Sequence, residues 1–272
     1  MTMSFLLHDS PGDIEMTGFT ESVGIAEARG VAARQTAPTI IDEQLRVPEV
    51  GHILSRGRLV DLLDRSTGQF AATLISGRAG TGKTTLAADY ARLRENVLWY
   101  SVGSADTSWE VFSNYFFAGL CGRSARRPAR LISIADERVD DTVAAEFLKR
   151  CLGRVAARSK GLPVLFVLDD IHHIFDAVWF NGFFQQLILS LTPGVHLLMT
   201  CRSNPPAPLW RLRSKQMLNV IDERMLDFGP GEVRELCSQR GVPEASADLI
   251  SMRSTGRIAR IVERIDARRN LA

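Results

Sequence analysis

Residues 77–85 read "GRAGTGKTT", after the apolar run "FAATLIS" (70–76) and ahead of "LAADYARLREN" (86–96). The stretch fits G-x-x-x-x-G-K-[ST], and a strand-like run before it with a helix-like run after it is the context that motif requires. Binding a phosphate asks several backbone N–H groups to converge on one anion, which bulky side chains obstruct. Gly77, Gly80 and Gly82, with the small Ala79, meet that demand, and the remaining loop positions, Arg78 and Thr81, contribute main-chain groups. Lys83 is expected to reach the β and γ phosphates, Thr84 to give its hydroxyl to Mg²⁺, and Thr85 to hold the α phosphate. The following helix directs its positive end at the anion. The bland alternative is a glycine-rich strand-to-helix turn without a ligand.

Composition narrows what such a loop can serve. The chain has 272 residues, 45% of them hydrophobic, enough for one large domain and a smaller one. Its 33 basic and 31 acidic residues leave a net charge of +2, so no global field draws it to nucleic acid or membrane. Cys121, Cys151, Cys201 and Cys237 stand 30 or more residues apart without C-x-x-C pairs, which argues against zinc and against a disulfide framework. The amino terminus "MTMSFLLHDSPGD" lacks a basic leader region, and no run approaches the length of a membrane span. A soluble cytoplasmic protein is expected.

Outward from the loop, apolar runs and helical periods alternate. Residues 1–45 show no sustained period and read as a loosely ordered arm, with a short helix possible near "ESVGIAEARGVAAR". Strands are expected at "NVLWYSV", "LPVLFVLDD" and "GVHLLMTCR", helices near 59–63, up to about 96, through "SWEVFSNYFFAGL", at 139–158 and at 176–191, and a Pro-rich loop at "SNPPAPLW". This is an α/β pattern: a mostly parallel five-stranded sheet covered by helices on both faces, of P-loop NTPase type. From "FGPGEVRELCSQRG" onward the pattern is helical only. The expected division is an arm to 45, a P-loop NTPase domain over 46–227 and a small helical lid-like domain over 228–272.

In "VLFVLDD", Asp169 and Asp170 end a buried strand, where open α/β sheets present their ligand crevice, so the segment looks like a Walker B. Asp169 is expected to hold Mg²⁺ through its waters, and Asp170 to orient or deprotonate the attacking water. A helix N-cap or a solvated turn is the alternative for the pair. "LLMTCR" brings Thr200 and Arg202 to another strand exit, and a guanidinium there offers a planar fork to a γ phosphate; its alternative is an Arg bonding loop carbonyls. His172 and His173 lack a third ligand for a metal and read as holding the turn. Arg123, Arg126, Arg127 and Arg130 form a basic loop without the aromatic interleaving of single-strand binders, which favours a solvated face. Trp99, Tyr100, Trp109, Phe112, Tyr115, Phe116 and Phe117 recur at strand and helix spacing and read as core.

Six segments together carry a family resemblance: "VGHILSRGRLVDLL", "LISGRAGTGKTTLAADYA", "VLWYSVGSADTSWEVFSNYF", "VLFVLDDIHHI", "LLMTCRSNPPAPLWRLRSKQML" and "RMLDFGPGEVRELC". In content and order they resemble the ATPase core of MalT-like, LuxR-type regulators, which are STAND signal-transduction ATPases, over roughly residues 46–265. The resemblance implies ATP and ADP as ligands with Mg²⁺ and slow hydrolysis. It further implies an ADP-bound resting state, exchange to ATP, and then self-association or binding of a protein partner, with any transcriptional effect downstream. It makes Arg56 the arginine that closes on the nucleotide and Arg202 the γ-phosphate sensor. In the segment "STGRIARIVERI" the family's Trp or Pro is missing, so Arg257 is left without an assigned contact. The winged-helix, helical-repeat and helix-turn-helix parts of those regulators have no counterpart in this sequence, so DNA binding is not carried over and a stand-alone or truncated switch core is expected. The alternatives are a non-hydrolysing nucleotide-dependent scaffold and an AAA+-like DNA-associated ATPase.

Overall fold

The structure is a computed structural model and describes residues 42–51, 54–121 and 141–269. The expected arm, apart from its last residues, and the arginines at 123–130 lie outside the described residues. Residues 40–272 belong to one compact unit.

Five strands form one sheet: β1 (Ala72–Ser76), β2 (Asn96–Ser101), β3 (Val164–Asp169), β4 (Val195–Cys201) and β5 (Leu218–Ile221). Their order is β2-β3-β4-β1-β5 and every pair is parallel. All residues of β1, β3 and β4 are buried, as expected for strands covered on both faces. Nine α-helices accompany them among the described residues: α1 (Gly57–Gln69), α2 (Lys83–Arg92), α3 (Trp109–Cys121), α4 (Asp141–Arg158), α5 (Phe180–Leu189), α6 (Ala207–Ser214), α7 (Pro230–Gln239), α8 (Glu244–Ser254) and α9 (Ile258–Arg269).

The α/β arrangement read from the alternation is the one found. One face of the sheet packs against an aromatic-rich core in which Phe112 and Phe116 of α3 meet Phe183 of α5. All seven aromatics expected in the core are buried. The other face carries α1 and α2, through Leu59, Leu63, Leu86 and Tyr90. Two elements differ from expectation. The Pro-rich stretch turns into α6 directly after Pro206, because proline is tolerated in a first helical turn, where its missing N–H would have no partner. β5 is four residues long, too short to announce itself by periodicity.

α7, α8 and α9 share a core of their own, with Val233, Leu236, Ile250, Ile261 and Ile265 fully or nearly fully buried. Leu54, which precedes α1 in sequence, is inserted into that core. Gly256 closes it against the connector from β5. Its φ is +77°, a Cβ there would lie 2.8 Å from the Cβ of Asp227, and its carbonyl accepts the Phe228 N–H at 2.7 Å.

A buried polar chain pins α1 to the sheet. Ser66 and Thr73 share a hydrogen bond of 2.6 Å, Thr73 meets His196 Nε2 at 2.9 Å, and His196 Nδ1 lies 3.0 Å from the Phe70 carbonyl. Burial pushes the His196 imidazole down to about 4, against a single favourable backbone hydrogen bond. Above the ordinary histidine value of about 6.5 the ring is neutral whether the chain is folded or unfolded. As the pH falls below that value the unfolded chain takes a proton that the folded chain refuses, so stability is lost progressively down to about pH 4. Urea titrations should therefore show the parent losing stability between about pH 6.5 and 5, with His196→Gln losing distinctly less over that interval. Equal losses in the two proteins would remove His196 as the cause.

Candidate functional site

Because β1, β3 and β4 run side by side in parallel, their carboxyl ends open at one edge. The phosphate loop leaves β1 there and enters α2 at Lys83. Gly80 and Gly82 take left-handed backbone angles, φ +75° and +85°, and this turns the loop back on itself. A cavity of about 810 Å³ opens over the loop. Ala79, Gly80, Gly82, Lys83, Thr84 and Thr85 line its floor, Asp170 and Arg202 one side. Apolar groups from three separate elements complete it: Leu54 ahead of α1, Phe228 and Leu236 at α7, and Ile258, Ala259 and Val262 of α9.

Beneath Thr84 lies Asp169, 5% exposed. Its Oδ1 accepts two hydroxyls, from Thr84 at 3.0 Å and from Thr200 at 2.5 Å. Burial raises the carboxyl above the ordinary aspartate range, and the neighbouring Asp170 charge adds to this, while both threonines oppose it. Thr200 also accepts the Asp170 N–H at 2.8 Å, so one hydroxyl on β4 fixes both members of the acidic pair. Asp170 itself takes a left-handed conformation, φ 59°, uncommon outside glycine but tolerated by aspartate. That conformation takes its carboxylate out of line with Asp169. Its Oδ2 lies 3.2 Å from Arg202 Nη2 and its Oδ1 3.6 Å from His172 Nδ1. Arg202 thus sits at the cavity wall, tied to an acid instead of to loop carbonyls.

Lys83 is 5% exposed, and its ammonium donates to the Arg78 carbonyl at 2.9 Å and to Thr81 Oγ1 at 3.4 Å. Burial lowers its pKa, and the nearby Asp170 charge works against that. Thr81 donates its own hydroxyl to the Arg78 carbonyl at 2.9 Å. Arg78 turns away from the cavity: its guanidinium and its amide both bind Glu223. Gly77 supplies the close passage between β1 and that glutamate. Arg257 faces the same outer cleft, leaving the cavity to its neighbours Ile258 and Ala259.

Arg56 borders the cavity, yet its guanidinium is engaged by protein. It donates to Glu232 Oε1 at 3.2 Å and Oε2 at 3.0 Å, to the Leu226 carbonyl at 2.7 Å and to the Asp227 carbonyl at 2.9 Å. Its Cζ stacks 3.9 Å above the Phe228 ring. Burial lowers its pKa against the pull of Glu232, and the Glu232 carboxyl is in turn held below its ordinary range: burial raises it, but the hydrogen bonds from Arg56 and the Gly229 amide outweigh that. Arg58 reaches the Met225 and Asp227 carbonyls from a more exposed position. Two partners here, Thr200 as a bridge and Glu232 as an anchor, were not assigned from sequence, since neither belongs to a local motif. A polar residue on the strand beside the acidic one is the signal that points to Thr200.

The oxygen donors suit a hard divalent cation such as Mg²⁺. A buried carboxylate and a threonine hydroxyl share one point, and Asp169 Oδ2 takes no hydrogen bond among the described residues. The same residues contain no cluster of three or more His, Cys, Asp or Glu side chains able to hold a metal by themselves, and no helix long and apolar enough to cross a membrane.

The family profile described as "AAA ATPase domain" matches residues 55–199. Among curated proteins, the chain is similar to the HTH-type transcriptional regulator MalT of Vibrio cholerae, 26% identical over 185 residues that make up 68% of this chain and 20% of that protein. MalT of Serratia proteamaculans is 27% identical over 195 residues, 71% of this chain and 21% of its own length. The chain therefore spans about a fifth of these relatives. Among solved structures, the Walker-type ATPase of Pyrococcus abyssi aligns with a TM-score of 0.49 at 12% identity, covering 81% of this chain and 69% of that one. With more than half its length matched, the chain belongs to the AAA ATPase domain family, and its ATPase region is distantly homologous to that of the MalT regulators.

Removing one partner from a buried ion pair leaves the other charge uncompensated, at a cost of about 3 kcal/mol or more. Arg58 still faces Glu232 at 3.5 Å once Arg56 is gone, so Arg56→Ala should destabilise the protein by part of that amount, about 2 kcal/mol, whereas Arg58→Ala, removing an exposed side chain, should cost under about 1 kcal/mol. Urea unfolding of the two variants checks the ranking, which equal midpoints would overturn.

Proposed function

We propose that this member of the AAA ATPase domain family is a Mg²⁺-dependent ATP-binding switch that hydrolyses ATP slowly and delivers a change in how its two parts close on each other. The parts are the sheet with its covering helices, 46–227, and the helical segment, 228–272. One observation supports this reading above the rest: the cavity takes its floor from the phosphate loop and part of its wall from α7 and α9. A nucleotide held there touches both parts and shifts their closure by its differential affinity for the open and closed states. Self-association or a protein partner then follows from the closed state.

Each residue has a part in this reading. Lys83, with the amides at 79–85, would meet the phosphates, and Thr84 with Asp169 would hold the magnesium ion. Held by Thr84 and Asp169, Mg²⁺ would supply positive charge against the charge that develops on the phosphates during transfer. Asp170, set at the cavity wall, would orient and deprotonate the attacking water; in the structure its carboxylate is shared with Arg202 at 3.2 Å. Arg202 would move to a γ phosphate when one is present, releasing Asp170 for that task. The sensor and the base are then coupled. The apolar wall of Leu54, Leu86, Phe228 and Leu236 suits the face of a purine, which we take as adenine.

That same Arg202–Asp170 pair favours a second reading, a nucleotide-dependent scaffold without turnover, in which the arginine keeps the acid occupied. Single-turnover hydrolysis separates the two. The switch reading expects a slow rate in the parent and a loss of at least about a hundredfold in Asp170→Asn, the range lost with a general base; equal near-zero rates in both proteins favour the scaffold. Lys83→Ala should abolish measurable ATP binding in calorimetry while leaving the urea midpoint near that of the parent, and unchanged binding would remove the assigned site. Arg202→Ala should narrow the difference between ATP and ADP affinity.

A further inference from the structure

We propose that Glu223 is a positioning residue for the phosphate loop, holding Arg78 so that the Arg78 carbonyl presents Lys83 to the phosphates; this rests on the nucleotide reading of the cavity. The sheet itself brings the glutamate there. β5 pairs with β1 in the register Ile75↔Ile221, so the residues two positions beyond, Gly77 and Glu223, leave the sheet side by side. The contact is close. A Cβ at Gly77 would lie 3.2 Å from the Glu223 Cβ and 3.1 Å from Thr81 Oγ1, so any larger residue would have to push one of them aside. A short 3-10 turn, Glu223–Leu226, fixes the glutamate's backbone, and Asp222 caps it by accepting the Arg224 and Met225 amides.

From that place the Glu223 carboxylate takes hold of one residue in two ways. Oε2 accepts the Arg78 main-chain N–H at 3.2 Å, while Nε and Nη2 of the Arg78 side chain reach the carboxylate at 3.0 Å and 2.7 Å. Amide and side chain are thus both restrained, and the remaining polar group of Arg78, its carbonyl, receives Lys83 Nζ at 2.9 Å and the Thr81 hydroxyl at 2.9 Å. The chain of contacts runs from β5 through Arg78 to the ammonium expected on the phosphates. A pre-set ammonium lowers the ordering cost of binding, and the gain appears as affinity.

The clasp is suited to a permanent role. Hydrogen bonds from Arg78 hold the Glu223 carboxyl down to about 2, so it stays charged throughout the range in which proteins work. Arg257, at the entrance to α9, stands 3.9 Å from the same carboxylate, placing the last helix beside the clasp. Neither Glu223 nor Arg257 belongs to the G-x-x-x-x-G-K-[ST] pattern, and Arg78 occupies one of its unrestricted positions.

Calorimetry with ATP and Mg²⁺ on the whole chain tests this. Glu223→Ala should weaken ATP about tenfold, in line with losing a charge-assisted hydrogen-bond network, and the loss should persist at high salt because it is geometric. Glu223→Gln keeps an oxygen for the Arg78 amide and should recover most of the affinity, a rescue that loss of charge alone would not give. If Glu223→Ala does not fold, Glu223→Asp, one methylene short of Arg78, takes its place with the same expectation. Unchanged or tighter ATP binding in the variant, beside a parent that binds, overturns the clasp and leaves the nucleotide site standing. A parent that binds no ATP overturns both.

Discussion

The structure depends on a single buried carboxylate oxygen. Asp169 Oδ1 receives hydroxyls from the phosphate-loop helix and from β4, so three elements far apart in sequence are fixed to one another at a point. Such a meeting is possible only where β1, β3 and β4 are parallel neighbours whose carboxyl ends lie together. Burying a carboxylate is costly, and the two hydroxyls meet part of that cost. The remaining unfavourable energy is a preference for a positive ligand, which is the property an ion-binding floor needs. Asp170 follows from the same geometry, since the Thr200 hydroxyl that steadies Asp169 also captures the Asp170 amide and turns its side chain toward Arg202.

Around this point the electrostatics are arranged in opposing pairs. Arg202 answers Asp170, Arg78 answers Glu223, and Arg56 answers Glu232. Of these only the first lies on the cavity wall with both partners. The other two act from behind, one clasping the loop and the other joining the segment before α1 to the start of α7. Each pair sits at a junction between elements, where a directional contact adds what non-directional apolar packing does not specify.

Much of this was legible in the chain itself, for identifiable reasons. β3 and β4 are uninterrupted apolar runs because both faces of the sheet are covered, and the phosphate loop announces itself through glycines that its backbone angles require. Asp169 lies under Thr84 because a strand-end acid and a residue of the loop that leaves a nearby parallel strand come out at the same end of the sheet. β5 escaped individual notice because four residues carry no period, and α6 was hidden by prolines that a first helical turn accepts. Thr200 showed only as a polar residue at a strand exit, and Glu223 and Glu232 gave no local sign of their parts. Their partners lie 31, 145 and 176 positions away, so only the folded register brings them into contact. Arg56 shows the complementary case: the resemblance makes it the arginine that closes on the nucleotide, and in the structure it borders the cavity with its donors engaged by carbonyls and a carboxylate that the sequence does not point to.

The short stretch from Leu54 to Arg56 has a topological consequence. It enters the core of α7, α8 and α9 although the helix that follows it, α1, lies under the sheet. The three last helices therefore do not hang from the sheet by a single thread. They are held at two places along the chain, at residues 54–56 and at the connector 226–228, and Arg56 ties the two places together through the Leu226 and Asp227 carbonyls. Severing the chain near residue 228 would expose an apolar leucine and a guanidinium stripped of its acid, so the piece left behind would be a damaged body, and the helices cannot be regarded as a detachable appendage.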